Sequence, residues 1–356
     1  MIKRVLALVI VAVSLSLSAQ TNVQPYNRAN QVSDGIIYSL PKAELNFWVT
    51  AECVIEEPGM FYQYAKRYFG TNDVIVESKN EWKLQDLVIS STAIEDTSRT
   101  YQVMPTTKGV SNNLHFYHHT NLISGVNLSS EAASNVNRRA ICPVKHNEPS
   151  QNIEFNYNYL SEEVLVATSI PKMAEMAAMQ IYSIRENRTA LLAGNVDNMP
   201  DGDALKLIIE EYNRAESELL ALFVGKRISF TQSRSYSFTP DADINNYILF
   251  RLSSISGLVD ADDIMGTPVY LSIEGSYLTA PELDEKAKPK KYIGFYYNVP
   301  GSAVVTVSDK DSVKRTRVIS LPQFGYTANL LSTSTDSDTA EIEYNPELGT
   351  IKRVQK

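Results

Sequence analysis

The stretch Glu44-Leu-Asn-Phe-Trp-Val-Thr-Ala-Glu-Cys-Val-Ile55 alternates apolar and polar side chains along its length. Side chains of an extended strand point to opposite faces in turn, so this pattern predicts a half-buried strand. Trp48 is the exception, because it occupies a position on the polar face. The inner face of the strand is predicted to consist of six residues: Leu45, Phe47, Val49, Ala51, Cys53 and Ile55.

Downstream of this strand, Pro58-Gly59 opens a short helix that Gly70 ends. Further strands are predicted at 74–76, 81–91, 100–104, 153–159 and 164–168. Between them, residues 105–150 are rich in Pro, Asn, Ser and Gly, which predicts a long excursion from the sheet with room for one hairpin.

Residues 171–225 show the periodicity of two amphipathic helices. Pro171 suits a first helical position, and Gly194 is placed to end the first helix. Asp201 is suited to cap the second helix, which Gly225 ends. Because the connection is short, the segment is predicted to be an αα-hairpin.

Residues 226–356 return to short strand patterns separated by turn signals such as Pro300-Gly301. Many short strands at this spacing are typical of a sandwich or barrel. The fold class predicted is therefore α+β and mainly β: two antiparallel, sandwich-like β-rich domains, 34–170 and 226–356, joined by the αα-hairpin of 171–225.

The amino terminus has the features of a secretory signal peptide over residues 1–18. Lys3 and Arg4 precede an apolar run, and Ser16-Leu17-Ser18 provides small residues at a cleavage site. Polar residues 19–33 are predicted to be a flexible leader. No second apolar stretch is long enough to span a bilayer, so the mature chain is expected in the periplasm or cell envelope without a transmembrane segment.

The net charge is −8, which argues against nucleic acid as a partner, because nucleic acid binding depends on basic patches. The two cysteines, Cys53 and Cys142, are too few for a disulfide framework. Cys53 occupies an inward strand position and is expected to be a buried thiol; a bridge to Cys142 is left open.

No catalytic, cofactor or metal site is predicted. His115, His118, His119 and Cys142 with His146 match no known zinc spacing, and neither acidic cluster, 260–263 or 197–203, follows a calcium loop. Asp is also a common turn residue, which favours solvated turns. The chain lacks Gly-x-Ser-x-Gly and phosphate-loop motifs. A glycosidase-type carboxylate pair remains open, because carboxylates are plentiful.

The helical hairpin contains the most specific polar pattern, Arg185-Glu186-Asn-Arg188. In an antiparallel hairpin that turns near residue 198, the two arginines are expected to face Glu210, Glu211 and Arg214. An interhelix ion-pair network that fixes the register is the first interpretation. The second is an arginine pair presented to an acidic ligand or partner. The candidate interaction residues are Arg185, Glu186, Arg188 and Glu211.

Several segments resemble those of the uncharacterised exported proteins of Bacteroides and related Gram-negative bacteria grouped as domain-of-unknown-function family 4831. They run in order over nearly the whole mature chain: Gly35-Ile-Ile-Tyr-Ser-Leu-Pro-Lys42, Pro58-Gly-Met-Phe-Tyr-Gln-Tyr-Ala-Lys-Arg-Tyr-Phe-Gly70, Ile181-Tyr-Ser-Ile-Arg-Glu-Asn-Arg188, Asp201-Gly-Asp-Ala-Leu-Lys206, Leu219-Leu-Ala-Leu-Phe-Val-Gly225 and Leu321-Pro-Gln-Phe-Gly325. The resemblance implies an envelope location and assigns no activity. It also implies weak O-glycosylation signals at Asp311-Ser-Val313 and Asp338-Thr-Ala340.

Two functions follow as hypotheses. The first is a non-enzymatic binding or assembly protein whose partner is another envelope component, either a protein or a glycan. The alternative is a carbohydrate- or cell-wall-directed binder or weak hydrolase, which the 20 tyrosines and the abundant carboxylates favour. Tyrosine also fills half-buried strand positions, which is the simpler explanation of its abundance.

Overall fold

The structure is a computed structural model, and it describes residues 22–27, 35–104, 113–117, 119–128, 153–196, 201–282, 294–330 and 341–355. The described chain is mainly β, as predicted, with several antiparallel sheets and a few helices. Predictions at residues 1–18, His118, Cys142, His146, Asp197 and 338–340 lie outside this part of the chain.

The first sheet is built around two very long strands, β2 (Ile36–Glu57) and β3 (Lys79–Met104). They pair antiparallel along nearly their full length. Strand β1 (Asn22–Pro25) adds to the end of β3, and β6 (Lys226–Phe238) adds to β2, so the order is β1-β3-β2-β6. All of these pairings are antiparallel.

Two further antiparallel sheets complete the β structure. The second has the order β11-β10-β9-β7-β8 and the third the order β13-β12-β5-β4. Their strands are β4 (Leu114–Phe116), β5 (Ile123–Val126), β7 (Ile244–Ser253), β8 (Gly257–Val259), β9 (Thr267–Ser276), β10 (Tyr296–Ser308), β11 (Val313–Asn329), β12 (Glu341–Tyr344) and β13 (Ile351–Gln355).

In chain order, the described residues form one helix between β2 and β3 and three helices between β5 and β6. They are α1 (Ala65–Phe69), α2 (Glu162–Leu165), α3 (Ile170–Leu192) and α4 (Gly202–Val224), with short 3-10 turns at Tyr62–Tyr64 and Tyr157–Tyr159. The Asp201 carboxylate caps α4 by accepting the Ala204 amide at 3.1 Å, as predicted. No helix within the described ranges combines the length and the apolar character needed to cross a membrane.

The alternation of residues 44–55 is confirmed in β2, where all six predicted inner residues are buried. Leu45, Phe47, Val49 and Ala51 pack with residues of β3 and of the second sheet, so the first two sheets share one apolar core. Phe250, Leu271 and Val305 are among its members from the second sheet. Strands from both predicted β-rich domains therefore contribute to the same core.

A second apolar cluster holds α3 and α4 together and covers them with the segment that joins β2 to β3. Phe61 and Ala65 from that segment pack with Ile181 of α3 and with Leu222 and Phe223 of α4. A third cluster lies at the other end of β2, where Tyr38 and Leu40 pack with residues of β1, β3, β5 and β12. The long β2–β3 pair thus contributes to the first and third clusters and leads into the second.

Local structure differs from the sequence prediction in several segments. Residues 164–168, predicted as a strand, overlap α2, because Val164 packs into the helical cluster. Segment 153–159, also predicted as a strand, is irregular up to residue 156 and then forms the 3-10 turn Tyr157–Tyr159. Segment 74–76 is not a strand either, and its Ile75 amide donates to the Val224 carbonyl of α4. Part of the predicted leader, Asn22–Pro25, is strand β1, because β3 extends far enough to offer it backbone partners and Val23 becomes buried.

Candidate functional site

The two long helices are joined by a carboxylate that two arginines share. Arg185 Nε on α3 donates to Glu216 Oε1 on α4 at 2.6 Å. Arg188 Nη1 donates to the other oxygen of Glu216 and, at 2.7 Å, to Asn213 Oδ1. The structure therefore brings Arg185 and Arg188 together, as the spacing indicates, around an acidic partner that the sequence prediction did not name.

The predicted facing residues, Glu210, Glu211 and Arg214, are not the partners of the two arginines. Glu211 instead accepts a hydrogen bond from Tyr159 Oη at 2.9 Å and pairs with Arg214 at 3.3 Å. Side chains on a helix lean toward its amino terminus. In an antiparallel pair, that lean on α3 carries an arginine toward the carboxyl end of α4, which shifts the contact by about one turn to Glu216.

Arg185 is held in place on three sides. Its guanidinium lies 5.6 Å from the centre of the Phe69 ring and 5.7 Å from the centre of the Tyr182 ring. The Tyr182 hydroxyl donates to the Tyr68 carbonyl, which fixes that ring against α1. The arginine conformation is therefore set by packing and by one hydrogen bond before any ligand arrives.

The Arg185 side chain is also partly exposed, and its guanidinium has donors that no described residue engages. The Arg185 side chain is 37% exposed, and only its Nε is engaged by a hydrogen bond among the described residues. The two Nη groups form the fork that recognises carboxylate or phosphate groups with two parallel hydrogen bonds. Phe69, Tyr182, Arg185 and Arg188 together are called the arginine face.

Glu216 is suited to hold this arrangement. Burial alone would raise the pKa of the Glu216 carboxyl, but hydrogen bonds from Arg185 and Arg188 outweigh that effect and lower it. Glu216 therefore stays ionised near neutral pH. Glu186, the remaining candidate residue on α3, is exposed and forms no ion pair within the described part of the chain.

The other polar clusters do not assemble a site. His119 is exposed, while His115 Nε2 is buried and has no hydrogen-bond partner among the residues that are described. Within those residues, no group of three His, Cys, Asp or Glu side chains is arranged to hold a metal ion. Burial raises the pKa of the Cys53 thiol, and its sulfur donates to Asn80 Oδ1 at 3.1 Å.

The predicted acidic cluster lines an open recess of about 350 Å³. Asp260, Asp262 and Asp263 share it with Val259 and with Arg234, which lies 3.5 Å from Asp260. The Met265 amide donates to Asp263 Oδ1, and the Asp263 amide donates to the Asp260 carbonyl, so two of the three aspartates take part in turn contacts. These contacts are those of a solvated turn.

A second surface was not singled out from the sequence. Trp48 lies on the outer side of the first sheet, opposite Val88 of β3 and Ser235 of β6 in the strand register. On β6, every outward position from 229 to 237 is Ser or Thr. The Trp48 face is defined here by the outward residues of three strands: Asn46, Trp48, Thr50, Asp86, Val88, Ser90, Ser233, Ser235 and Ser237.

The Trp48 face ends in a charged recess of about 320 Å³ next to Val54. In it Arg227 Nε lies 2.6 Å from Glu56, and both Lys79 and Lys83 contact Glu81, at 2.5 and 3.0 Å. In the sequence, this surface is indicated by Trp48, which interrupts the apolar–polar alternation of β2. Its significance depended on β6, which is nearly two hundred residues away along the chain.

Comparison with known proteins identifies a family and no characterised relative. A family model described as a domain of unknown function, DUF4831, matches residues 34–352. No curated protein and no solved structure shows a significant match to the chain. The family resemblance predicted from the sequence segments is therefore confirmed.

Proposed function

The chain belongs to the DUF4831 family, and we propose that it is a non-enzymatic binding or assembly protein of a bacterial cell envelope. In this proposal the arginine face docks an acidic group of another envelope component. The signal-peptide pattern of residues 1–18 supports the envelope location in this proposal.

The observation that carries the proposal is the geometry of Arg185. Glu216 accepts a hydrogen bond from its Nε, two rings flank its guanidinium, and its side chain is 37% exposed. An arginine that serves only the register of two helices needs the Glu216 contact but gains nothing from an exposed and pre-positioned fork. Pre-positioning lowers the entropy lost when a carboxylate or phosphate binds.

Cross-linking from the native envelope tests the proposal. A photoreactive residue at Met179, which is exposed on α3, would be activated in cells. One component, identified by mass spectrometry, should be captured by the native chain and lost with Arg185→Gln. The matched control is Arg214→Gln, which removes an exposed arginine of α4 that already pairs with Glu211.

A further variant separates docking from folding. Arg185→Lys keeps the charge next to Glu216 but removes the two-pronged fork, so capture should fall while the thermal unfolding temperature changes little. Capture that is equal in the native chain and in both Arg185 variants would refute docking at the arginine face. Capture of nothing by the native chain would refute it as well.

A further inference from the structure

We propose that the Trp48 face binds an uncharged glycan chain, with the Trp48 ring stacked on a sugar. This surface is separate from the arginine face, and the inference does not depend on docking there. It rests on the side chains that three neighbouring strands direct outward and on the hydroxyl and indole N–H groups among them that have no partner within the described residues.

The hydroxyl groups of β6 are placed to meet a ligand. Ser235 and Ser237 are exposed, and neither hydroxyl has a hydrogen-bond partner among the described residues. Thr50 and Ser233 bond to each other at 3.1 Å, so these two neighbouring hydroxyls are already paired. A hydroxyl both donates and accepts, and so does each hydroxyl of a sugar. A row of short hydroxyl side chains therefore matches a polyhydroxylated ligand.

Trp48 adds an apolar platform in the middle of this row. Its neighbours across the strands, Val88 and Ser235, are smaller than the indole, and Trp48 is half-buried on the outer side of the sheet. Its indole N–H has no hydrogen-bond partner within the described chain. Trp combines a large apolar face with one donor at its edge, which suits partners that are apolar on one side and polar at the rim.

The charge pattern distinguishes a glycan from other ligands. Of the nine residues that define the Trp48 face, only Asp86 is charged, and its negative charge disfavours nucleic acid and other phosphate ligands. Hydroxyl groups outnumber apolar side chains, which disfavours a lipid surface or an apolar protein interface. The three strands span about 10 Å, and the strand from Trp48 to the charged recess at Val54 is roughly 20 Å long, so the area accommodates a linear chain of several sugars.

Tryptophan fluorescence tests the inference, because the chain contains only two tryptophans. Trp82 lies on the inner side of the sheet, where its Nε1 donates to the Ile255 carbonyl at 3.3 Å. In the Trp82→Phe variant, Trp48 is the only tryptophan and is excited selectively at wavelengths that tyrosine does not absorb. Titration of the mature chain would use cellohexaose, maltohexaose and chitohexaose, with hexagalacturonic acid as the charged comparator.

At least one neutral hexasaccharide should shift the emission of the Trp82→Phe variant in a saturable way. Trp48→Phe, in which only Trp82 emits, should show no shift. By calorimetry on the otherwise native chain, Trp48→Ala should weaken binding at least about tenfold. Ser235→Val with Ser237→Val should weaken it as well, which provides a second test if Trp48→Ala does not fold.

Three results would overturn the inference. In the first, the native chain binds no neutral hexasaccharide. In the second, the native chain, the Trp48 variants and the serine variant bind with equal affinity. In the third, only hexagalacturonic acid binds. Arg185→Gln should leave glycan binding unchanged. Failure at the Trp48 face and failure at the arginine face are therefore observed independently.

Discussion

Individual side chains join parts of the chain that are far apart in sequence. The Gln323 carboxamide accepts from the Ala43 amide at 2.9 Å and donates to the Ala43 carbonyl at 2.8 Å. It therefore takes the place of a peptide group from a neighbouring strand just beyond the end of β6, whose pairing with β2 stops at Leu45. Residues of the family-like segment at 321–325 thus serve the fold rather than a ligand.

Asn298 makes a similar connection and is fully buried. Its Nδ2 donates to the carbonyls of Pro41 and Leu348 at 3.0 and 3.1 Å, and its Oδ1 accepts from Arg99 Nη1 at 3.1 Å. Arg99 also donates to the Pro322 carbonyl at 2.8 Å. These bonds connect β10 to β2 and to the turn before β13.

We expect Asn298→Ala to lower the free energy of unfolding by about 2–4 kcal/mol, because it leaves buried polar groups without partners. Urea unfolding followed by circular dichroism measures this. Asn46→Ala, which removes a partly buried bond to Thr92 on the outer side of the sheet, should cost less than about 1 kcal/mol. Equal losses for the two variants would contradict this account of Asn298.

At the scale of elements, the segment between β2 and β3 docks on the end of α4. The Phe61 amide donates to the Leu222 carbonyl at 2.7 Å. Gly59 makes the approach possible, because a Cβ at this position would lie 2.3 Å from the same carbonyl oxygen. The family-like segments 58–70 and 219–225 therefore meet each other.

Gly59→Ala should lower the free energy of unfolding by about 1–3 kcal/mol, because the added methyl group forces backbone apart. The matched control is Gly202→Ala in the first turn of α4, where a Cβ would meet nothing within 4 Å. That change should be neutral or stabilising by up to about 1 kcal/mol, as expected from helix propensity. Thermal unfolding of both variants provides the measurement, and a stable Gly59→Ala protein would refute the close contact.

The helical pair should also lose stability in acid. The arginines lower the pKa of Glu216 in the folded state from its ordinary value of 4.5. The ionised carboxylate therefore makes its full contribution to the free energy of unfolding above pH 4.5. This contribution is lost as the pH falls through the folded-state pKa. The difference in unfolding free energy between the native chain and Glu216→Gln should be constant from pH 7 to about 5 and shrink below about 4.5. A difference that does not change down to pH 3 would rule out this role.

The sequence predicts elements better than it predicts partners. The inner face of β2 and the cap at Asp201 follow from local patterns and are found as predicted. Residues 164–168 look like a strand but form a helix, because tertiary packing of Val164 overrides a short apolar run. Glu216 was missed because the lean of side chains on two helices, rather than their spacing, decides which groups meet.

For the molecule as a whole, the first two sheets share one apolar core, and this core includes residues from both predicted β-rich domains. Phe47 of β2 and Ile89 of β3 lie in one cluster with Phe250, Leu271 and Val305 of the second sheet. In addition, β6 pairs with β2 over its whole length. Neither half of the sequence completes this core alone.

Expressed alone, residues 226–356 should therefore show no cooperative thermal transition and should bind a hydrophobic dye, because the inner face of the second sheet would be exposed. The mature full-length chain should show a cooperative transition under the same conditions. Calorimetry of both proteins is the measurement. A fragment with its own sharp transition would show that the predicted carboxyl-terminal domain is autonomous.

The reach of β2 also constrains how the polypeptide acquires its shape. Its register places Leu45 opposite Phe238, and Asn298 donates to the Pro41 carbonyl. The apolar side of β2 packs against residues of the second sheet, beginning with Leu249 and Phe250, so some two hundred further residues must be synthesised before this side is covered. Contacts this distant in sequence slow folding. Until they form, the apolar face of β2 is exposed and prone to aggregation, and a chaperone that binds unfolded chains is suited to protect it.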